Sequence, residues 1–176
     1  MDFATLYEED VETWAELQVA ALRRLATTPG PWANAIDWKN VIEEIEELGS
    51  DRRRAVESLL ENAFAHALKI VADPESLSSE QWKKEVRLFL AQARAKISPA
   101  MRSRIDMDEI WRNACRQASN ALEAFDRRMP ETPQQCPYSF DDIVDSTFDL
   151  LVKLQIPRPE RSQGKRNIRM PKKPQL

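Results

Sequence analysis

The chain has 176 residues with 42% apolar and 31% charged side chains and a formal net charge of −3, the balance of one soluble globular domain. Its three glycines, Gly30, Gly49 and Gly164, lie far apart, which excludes the glycine-rich cradles of P-loops and dinucleotide folds. The one histidine, His66, excludes two-histidine metal helices and leaves a single candidate base for a serine or cysteine triad. No run of 18 apolar residues occurs, so no span of a membrane is expected.

The acidic start, Met1 to Asp10, lacks the basic residues and apolar run of a secretory signal. A cytoplasmic location is therefore expected. In that compartment Cys115 and Cys136 do not suggest a disulfide; each reads as a small buried apolar group.

Residues 157–176 hold seven bases, Arg158, Arg161, Lys165, Arg166, Arg169, Lys172 and Lys173, against one acid, Glu160. This tail carries +6, and the other 156 residues, with 19 bases and 28 acids, carry −9. With four prolines and few apolar groups the tail cannot offset its ordering entropy, so it is expected to be disordered when free. The expected organisation is a helical domain over 1–156 and a basic tail over 157–176.

Prolines and apolar spacing divide the domain. Val11, Trp14, Leu17, Ala21, Leu22 and Leu25 recur by threes and fours. With Thr5 and Glu8 as a capping box they predict a helix over about 6–25. From Asp37, a favourable N-cap, a heptad seam runs through Ile42, Ile45, Gly49, Arg52, Val56, Leu59, Ala63, His66 and Ile70. Arg52, Arg53 and Arg54 would oppose the macrodipole of a helix starting near Asp51. A straight helix through Asp73 would outrun a domain of this size. The seam therefore predicts two roughly collinear segments bent at Gly49.

Ser78 and Gln81 predict a capped helix carrying Trp82, Val86, Phe89, Leu90, Ala93 and Ile97, ended by Pro99. Asp106 and Glu109 open, and Arg127 and Arg128 close, a helix over about 106–128 with Ile110, Trp111, Ala114, Ala118, Ala121, Leu122 and Phe125 inward. A short helix follows over 139–148. No strand pattern appears. The predicted fold is an all-α bundle of about five helices around one core.

Several blocks of residues resemble a known family. They are Leu6-Tyr7-Glu8-Glu9-Asp10 with Trp14, the acidic block Asp37-Trp38-Lys39-Asn40 through Gly49, Leu59-Leu60-Glu61, His66-Ala67-Leu68-Lys69, Trp82, and Cys136-Pro137-Tyr138. Together they resemble the bacterial family catalogued as domain of unknown function 29, over about 6–148. The resemblance implies a small all-helical protein and no known activity. The basic tail lies outside it.

Four groups of residues are candidates for function. In the acidic block, the pairs Glu43 and Glu47, and Glu43 and Glu46, could bind a hard cation or face a basic partner, with Asp37, Asn40 and Glu44 as further binding candidates; a plain solvated helix face is the alternative. Glu43 and Glu47 are one turn apart and repel. Trp32 and Trp38 flank the loop before that block and either contact a partner or staple the loop shut. His66, on the seam, reads as a core histidine hydrogen-bonded once; the alternatives are a base for a nucleophile such as Cys115, or a zinc site with Cys115, Cys136 and a carboxylate. The tail suits phosphate contacts, an acidic protein surface, or solubility.

The reading these residues support best is a non-enzymatic interaction protein with another protein as partner and no cofactor or metal. The alternatives are weak nucleic-acid association through the tail, and a hydrolase using Glu43, Glu47 and His66. A homodimer is compatible with all three.

Overall fold

The computed structural model describes residues 2–31 and 34–154. Trp32 and the seven tail bases lie outside the described residues. The described chain is all helical: α1 (Phe3–Glu9), α2 (Val11–Ala26), α3 (Trp38–Ala72), α4 (Ser79–Lys96), a 3-10 turn (Pro99–Ser103), α5 (Met107–Glu123), α6 (Phe140–Val144) and α7 (Leu150–Lys153). Seven α-helices thus stand where about five are predicted.

The extra helix at the start comes from Asp10. Asp10 leaves helical geometry (φ −144°, ψ 74°). Its carboxylate accepts from Thr13 N–H (3.2 Å) and Thr13 Oγ1 (2.7 Å), which makes it the N-cap of α2. The predicted single helix over 6–25 is therefore two. Thr5 caps nothing: it lies inside α1 and donates to Asp2 Oδ2 at 2.8 Å, while Asp2 is the cap.

The predicted bend at Gly49 is also corrected. α3 is one helix of 35 residues, about 52 Å at 1.5 Å per residue. Gly49 serves contact, not flexibility. A Cβ added there would lie 2.7 Å from Ala15 Cβ, so only glycine lets α2 come this close. The three arginines that follow are mid-helix and reach outward to partners. Arg52 Nε donates to the Lys96 carbonyl (2.8 Å), Arg53 to Glu12 (3.0 Å) and Glu57 (3.0 Å), and Arg54 to Ser50 Oγ.

α3 is the spine of the molecule. As α2 advances from Glu12 through Ala15 to Arg23, its contacts on α3 step back from Arg53 through Gly49 to Glu46. α2 is therefore antiparallel to the first half of α3. The second half of α3 is wrapped by α4 on one side and α5 on the other. His66 meets Glu85 of α4 (3.2 Å); Glu61 and Asn62 accept from Asn113 (2.7 Å) and Gln117 (3.0 Å) of α5.

Burial of both sides explains why the core is wider than one heptad seam. Val56 and Ala63 of the seam are buried, but so are Leu60, Phe64, Ala67 and Leu68, a second strip of the helix surface beside it. Phe64 is fully enclosed, meeting Trp111 edge-on (5.5 Å) and stacking on Tyr138 (6.0 Å). Trp111 Nε1 donates to the Pro133 carbonyl at 2.9 Å. Trp14 and Trp82, predicted inward, are only half-buried.

α5 begins as predicted, with Asp106 accepting from Asp108 and Glu109 N–H, but ends early. Asp126 adopts a left-handed conformation (φ 54°), which Asp tolerates better than most residues. Asp126 N–H then reaches the Glu123 carbonyl (3.1 Å) and Arg127 N–H the Leu122 carbonyl (3.0 Å), a Schellman closure. The reversal leaves Phe125 in solvent rather than inward, and places Arg127 and Arg128 beyond the helix. Ser78 precedes α4 without a side-chain cap bond, so the predicted Ser78–Gln81 capping box is absent. The predicted helix over 139–148 is confined to Phe140–Val144, opened by a Ser139–Asp142 capping box.

Candidate functional site

The acidic block occupies the first three turns of α3. Asp37 is its N-cap, accepting from Asn40 N–H (3.3 Å) and Asn40 Nδ2 (2.6 Å). Both residues thus serve the helix start. Glu43 lies 3.9 Å from Lys39, and Glu44 and Glu47 are exposed. Glu46, paired with Glu43 in the sequence reading, is instead the acid that α2 engages, at 2.5 Å from Arg23. Trp38 is half-buried at the first turn.

His66 is elsewhere. It stands 23 residues after Glu43 and 19 after Glu47 on the same helix, which is about 35 Å and about 30 Å along the axis. The hydrolase constellation of Glu43, Glu47 and His66 therefore does not share a site. His66 Nδ1 lies 2.9 Å from the Asn62 carbonyl and Nε2 3.2 Å from Glu85. Phe89 lies beside it with its ring tilted by 31°, 5.6 Å between ring centres. Burial, and then the Lys69 ammonium, push the imidazole below its usual range, against the Asn62 carbonyl and Glu85. A neutral ring has one N–H for these two acceptors. Its work is to tie α3 to α4.

The cysteines are likewise apart from His66. Cys115 contacts Thr132 Oγ1 at 3.8 Å, and Cys136 N–H donates to Asp108 at 2.7 Å. Both thiols are free and half-buried. Burial pushes Cys115 up and Cys136 up to about 11, the reverse of an activated thiolate. Among the described residues no group of three or more His, Cys, Asp or Glu is placed to hold a metal, and no helix is long and apolar enough to cross a membrane.

Around the acidic block the described residues leave part of an apolar face of α3 exposed. Val41, Ile45 and Leu48 stand 18 residues, about five turns, before Leu59, Ala63 and His66. They therefore point the same way. Against the later trio lies α4, through Glu85 and Phe89. α4 ends at Lys96, whose carbonyl is held by Arg52 at 2.8 Å. Before Arg52 the face continues without α4. Val41 is 38% and Leu48 42% exposed.

Charge is concentrated at the same end. Residues 1–51 hold twelve acids and three bases, net −9, while residues 52–156 hold sixteen of each. The whole negative charge of the domain belongs to α1, α2 and the start of α3. Sequence reasoning could have found this by summing charge over helices instead of over the entire body.

A second group escaped sequence reasoning because its members are far apart in the chain. Glu12, 9% exposed, receives Arg53 (3.0 Å) and lies 3.2 Å from Arg104 Nη1. The latter is an ion pair without hydrogen-bond alignment, since neither atom has a hydrogen-bond partner among the described residues. Arg104 also donates to Glu16 (2.9 Å) and Thr13 (3.3 Å). The network locks α2 to α3 and to the turn before α5.

No curated protein matches the chain. A crystal structure of an alpha-helical protein of unknown function from Rhodospirillum rubrum is similar, with 28% identity and a TM-score of 0.71; the match covers 81% of this chain and 91% of that one. The family model for Domain of unknown function DUF29 matches residues 6–149, the span that holds both the acidic block and the helical core, and the chain belongs to that family.

Proposed function

We propose that this is a non-enzymatic interaction protein whose acidic N-terminal end receives a basic amphipathic helix from another protein. The observation that carries the proposal is the apolar stripe of exposed Val41 and Leu48 with half-buried Ile45 between them, which repeats, five turns earlier, the face that α4 occupies. A face already shaped for a helix suits an amphipathic helix that lays its apolar side against it. Glu43, Glu44 and Glu47 beside the stripe, within a region of net −9, favour Lys and Arg on that helix. A cytoplasmic setting is consistent with free cysteines.

The test is a titration with two designed peptides of equal length, one Leu/Lys and one Leu/Glu amphipathic helix. The Leu/Lys peptide should bind, more weakly as salt rises, and Leu48→Asp should abolish binding while changing stability by less than about 0.5 kcal/mol. Equal affinity for both peptides, or binding indifferent to Leu48→Asp, contradicts the proposal. If Leu48→Asp instead splits a homodimer, the face belongs to a second copy of the chain and the basic partner is wrong.

A further inference from the structure

At the opposite end of the spine, the last turns of α3, the turn into α4 and the end of α5 surround a cavity of about 800 Å³. That is within the range of small-molecule sites and well above the roughly 330 Å³ hollow between α2 and α3. Its lining divides into an apolar part and a charged part. Trp82, Leu122, Phe125 and Leu77 supply the first; Lys69, with Asp73 and Arg127, supplies the second.

Two features of this lining point to a ligand. The first is at the mouth. Leu77 (104%) and Phe125 (76%) are the most exposed of the large apolar side chains among the described residues, and both stand at this one opening. Phe125 is held out by the left-handed turn at Asp126. Covering two such side chains supplies a driving force for binding.

The second is Lys69. The guanidinium of Arg127 is taken by Asp73 at 3.0 Å. Lys69 lies over the Trp82 ring, 4.8 Å from its centre, and makes no ion pair among the described residues. Its ammonium is half-buried, and burial pushes it below its usual range, with Glu85 opposing. A half-buried cation without a paired anion gains more from an incoming negative charge than a solvated one does.

We infer that this cavity binds a small amphipathic anion, whose apolar body lies on Trp82, Leu122 and Phe125 and whose single negative group meets the Lys69 ammonium. The carboxylates of Asp73 and Glu75 in the same wall disfavour a highly charged head group. One carboxylate or sulfonate on an apolar body fits this arrangement; inorganic phosphate does not.

The experiment uses the full chain and 1-anilinonaphthalene-8-sulfonate, an aromatic sulfonate whose fluorescence reports binding. The inference expects saturable 1:1 binding, displaced by decanoate but not by decanol or inorganic phosphate. Lys69→Gln should weaken it at least tenfold. Phe125→Ser, at an exposed position that the fold does not depend on, should weaken it too. Leu48→Asp, on the distant first half of α3, should leave it unchanged. Non-saturable binding, equal displacement by decanol, indifference to Lys69→Gln, or loss in Leu48→Asp with retention in Phe125→Ser would each overturn the inference. None of these outcomes bears on the peptide titration, because the two surfaces lie at opposite ends of α3.

Discussion

The two halves of α3 are held by different forces. From Val56 to Leu68 the helix is enclosed on two sides, and Val56, Leu60, Ala63, Phe64 and Leu68 are fully buried. From Trp38 to Gly49 the helix element packed against it among the described residues is α2. There the contact includes a glycine–alanine approach and the Arg23–Glu46 pair, with the Glu12 network joining α2 to Arg53 one turn further on. The second half is a core. The first half is a helix fastened along one edge with its adjacent apolar stripe left open. One continuous helix thus carries both the stability of the domain and the surface offered to a partner.

The comparison can be broken at four positions, from the largest effect to the smallest. Phe64→Ala empties the centre of the packed half and should cost about 3–5 kcal/mol, read as a lower urea midpoint with unchanged slope. Glu12→Ala leaves Arg53 and Arg104 without their shared acid. Removing one partner of a fully buried pair costs about 3–5 kcal/mol. Here Glu57 and Glu16 still pair the arginines, whose side chains are 27% and 24% exposed, so a loss on the order of 2 kcal/mol is expected. An unchanged urea midpoint would show that the network does not hold α2.

Gly49→Ala improves helix propensity by about 1 kcal/mol, but overpacking against Ala15 costs about 1–3 kcal/mol. A net loss of about 1 kcal/mol should follow, restored in the double variant Ala15→Gly with Gly49→Ala. A stabilised single variant would mean that α2 does not approach at this point.

The smallest effect concerns His66, and its sign is the test. The imidazole is pushed below its ordinary 6.5, chiefly by burial, so below pH 6.5 the unfolded chain takes up the proton more readily than the folded one. Stability is then full above pH 6.5 and declines as pH falls towards the lowered folded value. The His66→Gln variant should lack this part of the decline. If the variant and the parent lose stability in parallel from pH 7 to 5, burial and the Lys69 ammonium do not depress the ring.

What was legible in the sequence follows the range of the interactions. The all-helical fold, the cap at Asp106 and the inward stripe from Ile110 to Leu122 are local patterns, and the structure has them. The break at Asp10 was also local, an Asp-x-x-Thr cap obscured by an apolar stripe that runs through it. Gly49 was ambiguous because a glycine mid-helix marks either a bend or a close neighbour, and only the position of Ala15 decides. The second buried stripe at Leu60, Phe64 and Leu68 was hidden because α3 has two partners, a fact about topology rather than period. The Glu12 network and the cavity at Lys69 and Phe125 join residues 41 to 92 positions apart or depend on how α5 ends. Of the candidate site residues, Glu43, Glu44 and Glu47 do share an exposed face, whereas Asp37 and Asn40 close the helix start and His66 belongs to the packed half.

Amide hydrogen exchange along α3 tests the contrast most directly. Exchange from the packed half requires global opening, and exchange from an edge-fastened half proceeds through cheaper local opening. Amides from Val56 to Leu68 should share the highest protection, and those from Val41 to Leu48 should exchange at least tenfold faster, slowing when the Leu/Lys peptide binds. Uniform protection from Val41 to Leu68 in the free protein would contradict the division of α3 into a core and an offered surface.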